Sequence, residues 1–390
     1  MNEEKPVSPG VLPRVWLLTG FRAGDKAQMV ALAEALGWPY EIKRLAYRPY
    51  EFVTNILLGL KLAGIDRRRS DALTPPWPDL VITAGRRNEP VAHWIKACSQ
   101  GRARVVHLGR PWSKVESFDL VVTTPQYNVP LLSNVLQIDL PLHGVTPARL
   151  QAAGDRWRDS IAGLPQPLTA VLVGGDSPPY VFDAVMARRL GRQASDVARR
   201  QGGSLLVATS PRTKAAATEA LQAAIDVPCR FYRWTPDSES NPYLGFLALA
   251  DLLIVTGDSM SMVAEACATG KPVYVFDLGY GWTRMSAADR PPSGHSAGDD
   301  EKLPRFRAKR LLHWLIAHGL PRRIRRDIRK ILRALVDNGR IGWLDDPHAV
   351  SNPAPSRDLT RAAARVRQLF DPAPEADRFR SIDAVLRPKT

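Results

Sequence analysis

DLLIVTGDSMSMVAEACATGKPVYVFDL, residues 251–278, reads as one complete strand, turn, helix, turn, strand unit. Leu252, Leu253, Ile254 and Val255 form a short continuous apolar run, as expected of a parallel strand buried on both faces. Gly257, Asp258 and Ser259 interrupt it. Residues 259–269 are small or helix-forming, and Gly270-Lys271-Pro272 supplies the glycine stop and trailing proline that end helices. Val273 to Phe276 is a second buried strand. In open α/β sheets ligands bind beyond the carboxyl ends of the strands. The loop running from Thr256 through Gly257, Asp258 and Ser259 to Ser261 is therefore expected to face a cleft, its N–H groups at the positive end of a helix, a geometry suited to phosphate. Asp258 opposes an anion there unless it turns away as an N-cap. One turn into the helix, Glu265 is a single carboxylate in a small, apolar run, either a solvated position or a ligand contact.

The pattern recurs upstream. Strands are predicted over 169–173, 204–209 and 229–234, followed respectively by Gly174-Gly175-Asp176-Ser177, by Ser210-Pro211-Arg212-Thr213 and by a turn leading to Asn241-Pro242-Tyr243. Helices are expected over 181–201 and 214–224 and from Tyr243 onward. Gly175, Ser210, Thr235 and Gly257 thus mark strand ends aimed at one cleft. The proline-marked stretch Leu164-Pro165-Gln166-Pro167 is a linker, so this second domain spans 165–282.

An earlier domain, 13–147, repeats the theme with about five strands, over 15–19, 39–45, 79–84, 104–108 and 119–123. The first opens into Gly20-Phe21-Arg22-Ala23-Gly24-Asp25-Lys26 and a helix over 27–36; this turn is neither GxGxxG nor a P-loop. Asp25, Lys26 and Gln28 cluster where that strand ends, and Asp25 either caps the helix or serves the cleft. A helix-like segment covers 52–62. Arg86 and Arg87, after the third strand, are either solvated or a clamp for phosphate or carboxylate.

At 390 residues the chain is long enough for two domains, and a formal charge of +15 favours anionic partners. Cys98, Cys229 and Cys267 lie far apart and form no CxxC pair, which argues against a disulfide framework or a zinc site and for a reducing compartment. No apolar run reaches spanning length, and the start has no signal-peptide pattern. A cytoplasmic protein is expected, peripheral on a membrane at most. Residues 283–304 read as a flexible polar loop, and 305–390 as a basic helical region. Within it, 305–335 carries eleven Lys or Arg against one Asp, interleaved with leucine and isoleucine. Two amphipathic helices fit, either packed on a domain or meeting anionic lipid at a membrane surface. No nucleic-acid reader motif is visible, so no nucleic-acid partner is expected.

The glycine- and serine-bearing loop, the helix carrying Glu265 and the Gly-x-Pro strand entry resemble the donor site of GT-B glycosyltransferases and of non-hydrolysing UDP-sugar epimerases. That resemblance implies a diphosphate at the helix N-terminus near Ser259 and Ser261, and ribose hydroxyls on Glu265. TGFRAGDKAQ, TAGRR, VGGDSPPYVFD, ATSPRT, NPYLGFLALAD and VTGDSMSMVAEACATGKPV, spread from about residue 14 to 280, resemble the bacterial branch of the mitochondrial-fission ELM family. Plant members of that family are fission factors at the mitochondrial surface. The expected fold is α/β, two Rossmann-like doubly wound domains facing a cleft in GT-B-like fashion, followed by basic helices.

The expected chemistry is metal-independent glycosyl transfer from a nucleotide-diphosphate sugar, with no cofactor, to a cell-envelope or lipid-linked acceptor. Gly174, Gly175, Ser210, Arg212, Thr256, Gly257, Asp258, Ser259, Ser261 and Glu265 are the donor side; Arg212 and the helix N–H groups would stabilise the leaving diphosphate. Gly20, Arg22, Lys26, Gln28, Arg86 and Arg87 are the acceptor side, with Asp25 as general base. A nucleotide-sugar epimerase and a non-catalytic scaffold on the same fold are the alternatives.

Overall fold

The computed structural model describes residues 12–20, 23–48, 62–177, 180–236, 241–279, 284–286, 326–346 and 356–371. Arg22, nearly all of the helix-like segment 52–62, most of the loop 283–304 and the basic stretch 305–325 lie outside the described residues. The chain divides into two compact units: residues 1–123, 130–138 and 357–390 form one, and 124–129 with 139–356 form the other.

The first unit is built on six parallel strands, Val15–Thr19 (β1), Tyr40–Arg44 (β2), Leu80–Ala84 (β3), Arg104–Leu108 (β4), Leu120–Thr123 (β5) and Val135–Gln137 (β6), in the order β2-β1-β3-β4-β5-β6. Central strands β1 and β3, VWLLT and LVITA, are buried along their whole length, which is why they carry no alternation. Edge strand β2, YEIKR, is mostly exposed. The sixth strand escapes sequence reading because it is a three-residue, half-exposed edge, VLQ. Helices Ala23–Leu36 (α1) and Glu89–Cys98 (α2) follow β1 and β3. Strand order reverses between β1 and β3, so the crevice at their carboxyl ends is this sheet's switch point.

The second unit runs from helix Pro147–Trp157 (α3) through β7 (Leu168–Leu172), α4 (Ala184–Gln201), β8 (Ser204–Ala208), α5 (Ala215–Ala223), β9 (Cys229–Tyr232) and α6 (Tyr243–Leu249). The decisive stretch then forms β10 (Leu252–Thr256), α7 (Met260–Cys267) and β11 (Val273–Phe276), before α8 (Arg329–Asp337) and the short β12 (Gly342–Trp343). All six strands are parallel, in the order β12-β11-β10-β7-β8-β9. Counted from β7 this is the doubly wound order of dinucleotide-binding sheets, with its switch point between β7 and β10. Helix α4 shows how local signals set the limits: Asp183 caps it through the N–H groups of Val185 and Met186, and Gly202, at φ 69°, ends it.

Helix α8 settles the basic region where that region is described. Its apolar residues Ile331, Leu332 and Leu335 are buried in the core of the second unit, so this stripe is a packing face. Helix Asp358–Arg367 (α9) returns to the first unit, where Arg367 donates to the carbonyls of Ala35 and Leu36 at 2.8 and 3.1 Å, closing the end of α1. Among the described residues no helix is long and apolar enough to cross a membrane.

Candidate functional site

At the switch point of the second unit, three loops are drawn together by one buried carboxylate. Asp258, 1% exposed, follows β10 and turns inward. Its Oδ2 accepts the Gly175 N–H at 3.0 Å and lies 2.8 Å from Nη1 of Arg212, so it joins the loops after β7, β8 and β10. The glycines are required by this approach: a Cβ on Gly174 would lie 2.3 Å from Oδ2 of Asp258, and one on Gly175 2.2 Å from the carbonyl oxygen of Arg212. Burial pushes the Asp258 carboxyl up from its ordinary range, against the pull of Arg212, Thr256 and the Gly175 N–H. Its Oδ1 is buried without a hydrogen-bond partner among the described residues.

The remaining residues expected on the donor side lie in the same three loops and in the helix that follows. Thr256 accepts the Gly174 N–H at 2.8 Å, and Ser210 donates to the Gly174 carbonyl at 2.7 Å. Gly257 donates to the Phe276 carbonyl at 3.0 Å. Asp176 accepts the Phe182 N–H at 3.0 Å and pairs with Lys214. Asp258, expected as a possible N-cap, is not one: Ser259 occupies the N-cap position, and its side chain makes no capping bond. The first turn of α7, which includes Ser261, thus has no capping bond from its N-cap side chain, and Glu265 lies in the next turn. Arg212 and Lys214 against Asp258 and Asp176 give a local formal charge of zero (two cations, two carboxylates).

Glu265 is partly buried, and its Oε2 accepts from the Tyr243 hydroxyl at 2.5 Å. Burial pushes this carboxyl up to about 6, with the Tyr243 bond pulling the other way. The Tyr243 phenol is pushed well up, first by burial and then by the Glu265 charge. Tyr243 opens α6, and sequence reading registered it only as a helix start.

Asp277 was missed altogether. At the end of β11 its buried carboxylate accepts the N–H groups of Gly279, Met285 and Ser286 at 2.7, 3.0 and 3.0 Å and the Ser286 hydroxyl at 2.7 Å. Met285 is thereby set against Gly257, where a Cβ would lie 2.6 Å from its sulfur. The available signal was an Asp directly after a buried strand.

The first unit gathers its own predicted residues at the ends of β1 and β3. Helix α1 begins at Ala23 rather than near residue 27, so Asp25 and Lys26 lie in its first turn, and Asp25 is not its N-cap. A carboxylate in a first turn interacts favourably with the helix dipole. Gly85, at φ +75°, brings the β3 turn under it: its Cβ would lie 3.4 Å from Oδ2 of Asp25. Gln28 donates to the Gly24 carbonyl at 3.5 Å, and Gly20 packs on Tyr47. Arg86 stacks over the half-exposed Trp112 ring at 4.8 Å, and Arg87 over Tyr47 at 5.6 Å.

Two buried neighbours went unread. Asn88 ties the two strand ends, donating to the carbonyls of Leu18 and Ala84 at 2.7 and 2.8 Å. Glu89, 1% exposed, accepts the N–H groups of Trp112 and Ser113 at 2.9 and 2.8 Å and lies 3.3 Å from His107 Nε2. Burial works to raise the Glu89 carboxyl, but His107 and the two N–H groups outweigh it and hold it below its ordinary value. Among the described residues no group of three or more His, Cys, Asp or Glu could hold a metal ion.

The family model described as Mitochondrial fission ELM1 matches residues 23–290. The mitochondrial fission protein ELM1 of Arabidopsis thaliana is 30% identical over 242 residues, a match spanning 56% of this chain and 56% of that protein. Uncharacterized protein RP120 of Rickettsia prowazekii (strain Madrid E) is 24% identical over 295 residues, 67% of this chain and 82% of its own. Among solved structures, the UDP-GlcNAc 2-epimerase of Neisseria meningitidis bound to UDP-GlcNAc is similar at 11% identity and a TM-score of 0.45, covering 92% of this chain and 99% of that one.

Proposed function

We propose that this chain, which belongs to the mitochondrial fission ELM1 family, holds a nucleoside-diphosphate sugar at the switch point of its second sheet and transfers the glycosyl group to a hydroxyl acceptor. The observation that carries this reading is the convergence of the Gly174-Gly175, Ser210 to Arg212 and Thr256 to Ser259 loops at the carboxyl ends of β7, β8 and β10, where doubly wound sheets bind nucleotides. The N–H groups opening α7, beside Ser259 and Ser261, face an anion without competition from a capping side chain. Arg212, which remains 42% exposed beside Asp258, and the N–H groups opening α7 are the donors offered to a departing diphosphate as glycosyl transfer proceeds. Glu265, with Oε2 held by Tyr243, offers Oε1 to a ribose hydroxyl.

In the same reading Gly20, Arg22, Lys26, Gln28, Arg86 and Arg87 serve the acceptor, and Asp25 takes the proton from the attacking hydroxyl. A lipid-linked or cell-envelope acceptor fits the +15 charge of the chain. One observation favours a non-catalytic alternative: the Arg212 guanidinium is already engaged by Asp258 at 2.8 Å.

The test is a thermal-shift screen of the protein and Glu265→Ala against UDP, GDP, CMP, ADP and their sugars. A ligand at a hundredfold excess over its Kd stabilises by about 2.7 kcal/mol. A shift with one nucleotide that the variant loses supports the donor site; no shift with any of them removes it. Sugar-nucleotide consumption that stops in Asp25→Asn while binding persists separates transfer from binding alone.

A further inference from the structure

We infer that Tyr243 is a positioning residue for nucleotide binding: its hydroxyl holds Oε2 of Glu265, presenting the carboxylate to a ribose and making nucleotide affinity depend on pH near neutrality. The inference rests on the nucleotide reading of the second unit. It starts from the 2.5 Å hydrogen bond between the Tyr243 hydroxyl and Glu265. The two side chains come from successive helices: Tyr243 is the first residue of α6, and Glu265 lies in the middle of α7.

The placement of Tyr243 is itself fixed. Asn241 Oδ1 accepts the Tyr243 N–H at 3.0 Å, so the turn into α6 sets where the ring begins. At the other end of α6, Lys271 Nζ donates to the carbonyls of Leu247 and Ala248 at 2.9 and 2.5 Å. Lys271 follows α7, so α6 is tied to the loop that leaves the helix carrying Glu265. A phenol has few rotatable bonds, and one donated bond from it therefore restricts a carboxylate at low entropic cost.

Chemically, the pair has one useful consequence. An ionised carboxylate accepts from both a ribose hydroxyl and the phenol through charge-assisted bonds; once protonated, it accepts more weakly, with one acceptor site fewer and a donor in its place. Burial pushes the Glu265 carboxyl up to about 6, opposed by the Tyr243 bond, and among the described residues no charged group adds to these two effects. Asp258, Arg212 and Lys271, the charged groups of the adjoining loops, do not enter. Removing the phenol hydroxyl leaves the burial effect unopposed and shifts ionisation of Glu265 to higher pH.

The experiment is calorimetric titration of UDP into the wild-type chain, Tyr243→Phe and Glu265→Gln at pH 5 to 8. With a midpoint near 6, wild-type affinity rises about tenfold from pH 5 to pH 7. Tyr243→Phe is expected to bind about tenfold more weakly at pH 7, as for loss of a bond to a charged group, with its midpoint moved upward. Glu265→Gln should bind weakly with no pH dependence. A Tyr243→Phe chain that binds more weakly by the same factor at every pH, midpoint unmoved, overturns the inference and leaves Tyr243 a packing residue.

Ligand-free unfolding in urea across the same pH range reads the Glu265 titration without nucleotide. An upward shift in Tyr243→Phe there, with no binding of UDP, GDP, CMP or ADP by the wild type, overturns the nucleotide reading while the pair itself stands. No shift in either measurement overturns the pair.

Discussion

The guanidinium of Arg212 lies 2.8 Å from the carboxylate of Asp258, whose side chain is fully buried. A charge taken out of water at the end of a sheet is costly, and here one cation, the Thr256 hydroxyl and one backbone N–H offset that cost. Asp258 is therefore the organiser of the three loops at the end of the sheet. Arg212 is the only member of the pair that remains substantially exposed, at 42%.

Asp258→Asn keeps the shape but removes the charge that Arg212 answers. The second unit is expected to lose about 1–3 kcal/mol of stability, since the pair is buried on one side only. The urea midpoint, read with an unchanged m-value, measures it.

Gly174 and Asp258 should be energetically coupled, because a Cβ at 174 would sit 2.3 Å from Oδ2 of Asp258. Gly174→Ala is expected to cost about 2 kcal/mol or more in the wild-type background and distinctly less beside Asp258→Gly. Equal costs in the two backgrounds would show that something other than this contact excludes a side chain.

Asp277 accepts four hydrogen bonds that fix the chain after β11. Asp277→Ala leaves two buried donors, the Gly279 and Met285 N–H groups, and two half-buried donors of Ser286 to find other partners, and a loss of about 2–4 kcal/mol is expected. With Met285 released from Gly257, proteolysis near residue 285 should accelerate more than cleavage elsewhere; limited digestion followed by mass mapping decides this.

Two carboxyls, the buried Glu89 and the half-buried Glu265, should impose pH dependences of opposite sign. Glu265 titrates at about 6 in the folded chain against 4.5 unfolded, so the unfolded state binds fewer protons between those values. Stability from this group is full below about pH 4.5 and falls by about 2 kcal/mol as pH rises through 6, a slope that Glu265→Gln removes. Glu89 is held below its ordinary value, so its contribution is present above the unfolded value of 4.5 and is lost as pH falls through the lower folded value. Glu89→Gln should flatten only that acid limb. Urea unfolding at closely spaced pH values separates the two.

Sequence alone determined the α/β plan, because a parallel strand covered on both faces must be a continuous apolar run and each crossover must begin at a turn. VWLLT, LVITA and LLIVT are such runs, and each is followed by glycine, so the strand ends and the loops that leave them were legible. The half-exposed edge β6 was not, since three residues without alternation carry no period. Strand order, and hence the switch points, came only from the tertiary structure, as did the return of α9 to the first unit. So did the partners that give each polar residue its meaning. Whether Asp258 caps a helix, meets a phosphate or ties three loops depends on what stands 3 Å away, and Gly175 and Arg212 are 83 and 46 residues distant in the chain. Likewise Tyr243 and Glu265 meet across 22 residues. Apolar periodicity is a local property written into neighbouring residues, whereas burial, charge pairing and a shifted pKa are set by residues that only folding brings into contact.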